Sequence, residues 1–183
     1  MSKTTFAPED VPLRQMALLQ GLVLGFNCRR VVDTDFGCGY TAAAMAVAFD
    51  RLPGGAKKSR YLGIATRGEM GMYAFTYIKR SFGSIARHIQ IQPGEPIGVL
   101  AGMDEDENDF GIVTVSSPAE GVAELVEEVA RVVRDDGLIC LRGSGLSAIR
   151  ADQVREILTA VRGGASLRLL EGDAPLVILQ NRK

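Results

Sequence analysis

The residue types that could do chemistry in this chain crowd into one short stretch, Asp33-Thr34-Asp35-Phe36-Gly37-Cys38-Gly39-Tyr40-Thr41. Gly37 and Gly39 let a backbone turn tightly and approach a ligand closely. Two carboxylates, Asp33 and Asp35, stand just before them, and a run of small residues, Thr41 to Phe49 (TAAAMAVAF), reads as a helix. The start of a helix presents unpaired N–H groups and the positive end of its dipole to a polar group. A lone Gly-x-Gly is a weak signal. Here it joins a strand, Val31 to Phe36, to that helix, which is where α/β proteins hold nucleotide-sized ligands. The plain alternative is a tight turn that holds nothing.

Other candidates stand at the ends of later strands. Thr66 and Glu69 fit a capping box that opens a helix, with Glu69 reaching back to the cap. Arg142 closes the fifth strand, and a guanidinium there either clamps an anionic substrate bidentately or joins a surface ion pair. His88, the single histidine, has no Cys or Asp spaced around it for a triad or a zinc site, so a structural or surface role is expected. The run Asp104 to Asp109 (DEDEND) has no EF-hand spacing and reads as a solvated loop. Lys57-Lys58-Arg60 and Lys79-Arg80 read as solvated basic faces.

The elements that must position these residues follow from periodicity and punctuation. Arg14 to Phe26 carries its apolar residues at helical spacing. Strands are expected at Val31–Phe36, Arg60–Ala65, Ile89–Gln92, Gly111–Val115 and Leu138–Leu141, with helices after Thr66, from Pro118 to about Arg134, and over Ala151–Val161. Ser117 and Glu120 form a second capping-box pattern, with Pro118 at the first helical position. Two last strands, Ser166–Leu170 and Leu176–Gln180, flank a hairpin-sized loop. Alternating strands and helices imply right-handed crossovers and a parallel sheet. A closing hairpin adds an antiparallel strand.

The bulk properties agree with this reading. The chain has 183 residues, 46% of them hydrophobic and 23% charged, with a net charge of −1. That suits one globular domain with a real core, after a loose arm over residues 1–12. The balanced charge gives no reason to expect nucleic acid or an anionic membrane as the main partner. Cys28, Cys38 and Cys140 form no C-x-x-C pair, which favours a reducing, cytoplasmic setting. No apolar run is long enough to span a bilayer.

The arrangement as a whole resembles the caffeoyl-CoA and catechol O-methyltransferase family of class I methyltransferases. The segments that carry the resemblance are VVDTDFGCGYTAAAMAVAF, YIKRSFGSIARHIQIQPGEPIGVL, DFGIVTVSSPAEGVAELVEEVARVVRDDGLICLRG and GDAPLVILQNRK, so it runs from about Val11 to the C-terminus. The resemblance implies a Rossmann-like methyltransferase fold over residues 1–183: a mostly parallel sheet, a C-terminal antiparallel hairpin, and helices on both faces. It implies S-adenosylmethionine as cofactor, held by Asp33, Asp35, Gly37, Gly39, Tyr40 and Thr41, with Thr66, Gly94, Glu95 and Ser116 on the neighbouring strand ends. It also implies a homodimer, for which the first helix is the expected contact.

The departures are equally specific. The acid that ends the family's second strand is replaced by Ile64-Ala65-Thr66, and Asp35 stands where the family has the first glycine of the turn, where it could reach a cation or a hydroxyl or clash with a carboxylate ligand. The family's three metal ligands correspond to Ser116, Arg142 and Gly143, which cannot replace carboxylates on Mg²⁺ or Ca²⁺. No metal is expected. The resemblance therefore implies either a metal-independent methyltransferase acting on an unidentified small acceptor, or an inactive relative that keeps the fold as a binding or regulatory module. The side chains of Phe36, Arg67 or Arg142 would close the cofactor site if they filled it. A dehydrogenase-like dinucleotide site fits less well, because the third glycine and the following acid are missing.

Overall fold

The computed structural model describes residues 13–54, 58–115, 121–161, 168–170 and 176–182. In chain order these form α1 (Leu13–Gly25), β1 (Arg30–Asp33), α2 (Tyr40–Arg51), β2 (Arg60–Ala65), α3 (Gly68–Phe82), β3 (Ile89–Pro93), α4 (Pro96–Ala101), β4 (Asn108–Thr114), α5 (Val122–Val132), β5 (Val133–Arg142), α6 (Ala151–Ala160), β6 (Arg168–Leu170) and β7 (Leu176–Gln180). One seven-stranded sheet has the order β3-β2-β1-β4-β5-β7-β6. The first five strands run parallel, and β7 lies antiparallel between β5 and β6. This is the expected Rossmann-like sheet with its antiparallel C-terminal pair.

Side chains alternate along a strand, so each strand feeds two cores. On one face Val31, Tyr61, Phe110 and Cys140 pack under Leu19, Val23, Met45, Phe49 and Ile78 of α1 to α3. On the other, Val32, Ile64, Val113 and Ile139 pack under Leu100, Val126, Val129 and Ile157 of α4 to α6. The carboxyl ends of β1 to β5 therefore share one edge, and strand order reverses between β1 and β4.

Several expectations are corrected. The Thr66–Glu69 capping box does not form: Arg67 is the N-cap of α3, and no side chain caps it. The short α4 was not foreseen. Helix α5 ends at Val132 and the chain passes directly into β5, because Val133 pairs with Asn108 of β4. The acidic run is only partly solvated. Asn108 is fully buried, and the Asp109 carboxylate accepts the Arg29 and Arg30 N–H groups at 2.8 and 3.0 Å and pairs with Arg134 at 2.9 Å. Arg60 pairs with Glu107 rather than facing solvent alone. His88 is buried, with Nδ1 3.1 Å from the Ser59 carbonyl and Nε2 3.3 Å from Asp50, so its role is structural. The N-terminal arm, Lys57, the Ser117–Glu120 pattern and the loop between β6 and β7 lie outside the described residues.

Candidate functional site at the carboxyl edge of the sheet

The turn after β1 is folded by its own carboxylates. Asp33 Oδ1 accepts the Asp35 N–H at 3.0 Å, and Asp35 Oδ1 accepts the Gly37 N–H at 3.0 Å. Each is an Asx turn, in which a short acid takes a backbone donor two residues on. The Phe36 N–H reaches the Ile64 carbonyl of β2 at 2.8 Å, and the Gly39 N–H reaches the Phe36 carbonyl at 2.9 Å. Gly39 has φ +78°, and a Cβ there would stand 2.6 Å from Ile78 and 3.2 Å from Phe36. Its glycine is thus required by backbone sign and by packing on α3, rather than by ligand approach. It is also the N-cap of α2 and supplies no side chain to the helix start. Cys38 and Tyr40 are exposed beside it.

Beneath the turn lies a buried polar network. Asp33 is fully buried and accepts the Tyr61 hydroxyl at 2.5 Å. Arg142 reaches in from β5, placing Nη2 3.0 Å from Asp33 Oδ2 and 3.2 Å from the Asp35 carbonyl. Its Nε donates to Thr114 Oγ1 at 3.1 Å, and its Nη1 donates to Thr41 Oγ1. Burial pushes the Asp33 carboxyl above the ordinary carboxylate range, against the Arg142 charge and the Tyr61 hydroxyl, which pull it down. Burial alone would lower Arg142, but Asp33, Tyr61, Cys140 and Asp35 together hold it above its usual value, so it stays a cation. Tyr61 is raised well above its ordinary value, chiefly by burial and then by the Asp33 charge.

This placement corrects the surface ion pair expected for Arg142, whose side chain is only 10% exposed. Each nitrogen of the guanidinium has a protein partner. The Thr41 hydroxyl is engaged by the same group, so what α2 offers to a ligand is backbone N–H. Phe36 is a core residue. It packs beside Tyr61 with ring centroids 6.5 Å apart, and a Cβ on Gly63 would stand 2.4 Å from its ring. Arg67 is exposed.

The remaining candidates are less tightly joined. Thr66 and Glu69 are exposed just past the end of β2, and Glu69 lies in the first turn of α3. The Gly94 N–H reaches the Ala65 carbonyl at 3.3 Å, and Glu95 is the exposed N-cap of α4. Ser116 lies outside the described residues. The structure thus brings Asp33, Asp35, Thr41 and Arg142 into direct contact, and sets Gly94 against β2.

Sequence reasoning did not single out Tyr61 or Thr114. In the sequence Gly143 reads only as a lost metal position. Its φ of +114° and the 2.4 Å from its would-be Cβ to the Val115 carbonyl explain the residue. Only glycine lets the chain leave β5 so close to the end of β4.

The residues fit the two implied ligands differently. Among the described residues, no three His, Cys, Asp or Glu side chains gather to hold a metal ion. The guanidinium of Arg142 already neutralises Asp33, so the network does not fit a divalent cation. The turn does fit the polar end of an amino-acid-like ligand: a helix N-terminus without a side-chain cap, next to a half-buried Asp35.

No family model matches this sequence, and no curated protein matches it either. Solved structures do. The O-methyltransferase from Bacillus cereus in complex with S-adenosylhomocysteine superposes with a TM-score of 0.73 at 15% identity, covering 94% of this chain and 83% of that one. The O-methyltransferase TomG from Streptomyces achromogenes, in complex with S-adenosylmethionine, gives 0.71 at 16%, covering 93% and 81%. A methyltransferase from Geobacter sulfurreducens gives 0.72 at 16%, covering 94% and 80%. At these identities the likeness establishes the fold: the chain has the Rossmann-like fold of class I methyltransferases.

Proposed function

We propose that the protein binds S-adenosylmethionine at the turn from Asp33 to Thr41 and is an O-methyltransferase-like protein that works without a metal. The observation that carries this reading is the uncapped N-terminus of α2, set by Gly39 at the reversal point of the sheet. That is where a helix start attracts a carboxylate. Bound there, the cofactor would supply a methyl group on a cationic sulfur for in-line displacement. The chain's own contribution would be alignment. The N–H groups at the start of α2 would take the ligand's carboxylate, and Asp35 would face its cationic end. The exposed Glu69 carboxylate, not occupied as a capping partner, would be the acid available just past β2 for the ribose hydroxyls. No described side chain stands out as the base for an acceptor hydroxyl.

A second reading is favoured by that gap and by the ion pair in the network. An inactive relative would keep the ligand site and act as a binding module. A cytoplasmic setting is supported by three unpaired cysteines. Among the described residues, no helix is long and apolar enough to cross a membrane. Leu13 at the start of α1 and Phe26 just past its end, both exposed, support the expected homodimer, which light scattering would test.

Calorimetric titration with S-adenosylmethionine and S-adenosylhomocysteine, with and without Mg²⁺, tests the proposal. We expect binding that Mg²⁺ does not change. Asp35→Ala, which removes a charge-assisted hydrogen bond from the turn, should weaken it roughly tenfold. No heat and no thermal-shift response at millimolar ligand would end the cofactor reading. Binding without methyl transfer to any hydroxyl acceptor would favour the module.

A further inference from the structure

The turn after β1 is held to the sheet from an unexpected side. Its local bonds are the two Asx turns and the Phe36–Ile64 backbone contact. The Gly39 N–H adds one backbone bond, to the Phe36 carbonyl, at the N-cap of α2, but no side chain caps that helix. Among the described residues, the side-chain tether on its first turn is at Thr41, whose hydroxyl accepts from Arg142, 101 residues further along the chain.

Arg142 is well placed to anchor. Its backbone is paired inside the sheet, with Thr114 on one side and Leu176 on the other. The Thr114 hydroxyl steadies the guanidinium from β4. The other arms reach Asp33, the Asp35 carbonyl and Thr41, which are the start, middle and end of the turn. A guanidinium presents five donors in a rigid plane, whereas an ammonium is a compact point with three. Only the former spans four partners on two sides.

We propose that Arg142 is a positioning residue: through Thr41 Oγ1 and the Asp35 carbonyl it holds the turn, and the first N–H groups of α2, in the form that receives the ligand. The word "ligand" rests on the reading of this turn as the S-adenosylmethionine site; the positioning itself does not.

Amide hydrogen exchange in the ligand-free protein, resolved by residue, tests the positioning. The proteins compared are wild type, Arg142→Lys, Thr41→Val and Thr114→Val. Thr41→Val removes one arm and leaves the buried ion pair, so it serves if Arg142→Lys does not fold. Thr114→Val cuts a link between strands that are already paired.

We expect Arg142→Lys and Thr41→Val to speed exchange at Gly37, Gly39 and Ala43, the bonded N–H groups of the turn and the first helical turn, at least about tenfold, equivalent to some 1.4 kcal/mol. Val113 and Ile139 should keep their protection, and Thr114→Val should leave the turn near wild type. Exchange that rises uniformly, or a turn unchanged in Thr41→Val, would overturn the proposal, because a merely structural residue weakens the whole fold together.

Calorimetry with S-adenosylhomocysteine on the same proteins separates the two claims. Wild-type protein that fails to bind, with the exchange pattern present, defeats the functional reading and leaves the positioning standing. Wild-type protein that binds, with Thr41→Val binding equally well, defeats the role in reception.

Discussion

Asp33 Oδ2 and Arg142 Nη2 meet at 3.0 Å beneath the protein surface, joining the end of β1 to the end of β5. A buried ion pair adds little over a well-packed apolar pair, but breaking it strands a charge without water. Asp33→Asn and Arg142→Met should each lower stability by about 3–5 kcal/mol. The double variant should lose less than the sum, as interacting residues do. Urea unfolding would show this as lower midpoints with an unchanged slope. Additive losses would mean that the two side chains act separately.

The two glycines of the turn should respond differently to a methyl group. Gly37 has φ +48°, and a Cβ there meets nothing closer than 3.8 Å. Gly37→Ala should therefore cost only the left-handed backbone term, about 1–2 kcal/mol. At Gly39 the new methyl also runs into Ile78 and Phe36, so Gly39→Ala should cost about 1–3 kcal/mol more. Equal losses in thermal melts would contradict this geometry.

Asn181 predicts a stability effect far from the site. Its buried side-chain amide donates to the carbonyls of Ala130, Val133 and Arg134, at 2.9, 2.7 and 3.3 Å. Two of these three groups belong to the junction where α5 becomes β5. Asn181→Ala would leave them unsatisfied and should cost about 1–3 kcal/mol. Asn181→Asp, which replaces a donor by an acceptor, should be at least as damaging. A neutral Asn181→Ala would show that water takes over the carbonyls.

The cysteines should separate cleanly. Burial first, with the Asp109 charge, pushes the Cys28 thiol up to about 12, and burial pushes Cys140 to about 12 as well. Cys38 is exposed. A thiol reagent at pH 8 should modify Cys38 alone in the native protein and all three cysteines after denaturation. The same values set an alkaline limit. Unfolded thiols ionise near 9.0, and the folded ones hold their protons to about 12. The folded state then binds more protons, so stability is intact below about pH 9 and falls toward pH 12. Cys28→Ala should flatten that decline in denaturation curves taken across this range.

Local signals carried the fold well. Strands β2 and β7 lie where the apolar runs placed them, since both are short apolar runs bounded by turn residues in the sequence. Helix α4 went unseen because Pro96 to Ala101 is too short to show a period. The junction at Val133 went unseen because Arg134-Asp135-Asp136-Gly137 reads locally as a helix end and a turn, while pairing with Asn108 makes it a strand. In the site, the turn was legible from its glycines and acids. The role of Arg142 was not, because nothing local in Leu141-Arg142-Gly143 says that its charge is answered by an acid on the first strand. The Thr66–Glu69 pattern failed in the opposite way, as a local motif that tertiary packing did not use.

The partners of Arg142 also bear on when the turn takes shape. Asp33 and Arg142 are separated by 109 residues, and contacts this distant close late, after the loop entropy between them has been overcome. A chain growing from its N-terminus would complete β1, α2 and the glycine turn long before β5 emerged. Until then Asp33 would lack its counter-charge, and the start of α2 would lack its tether. The candidate site would be among the last parts to mature, and a chain stalled before the fifth strand would carry its sequence without its shape.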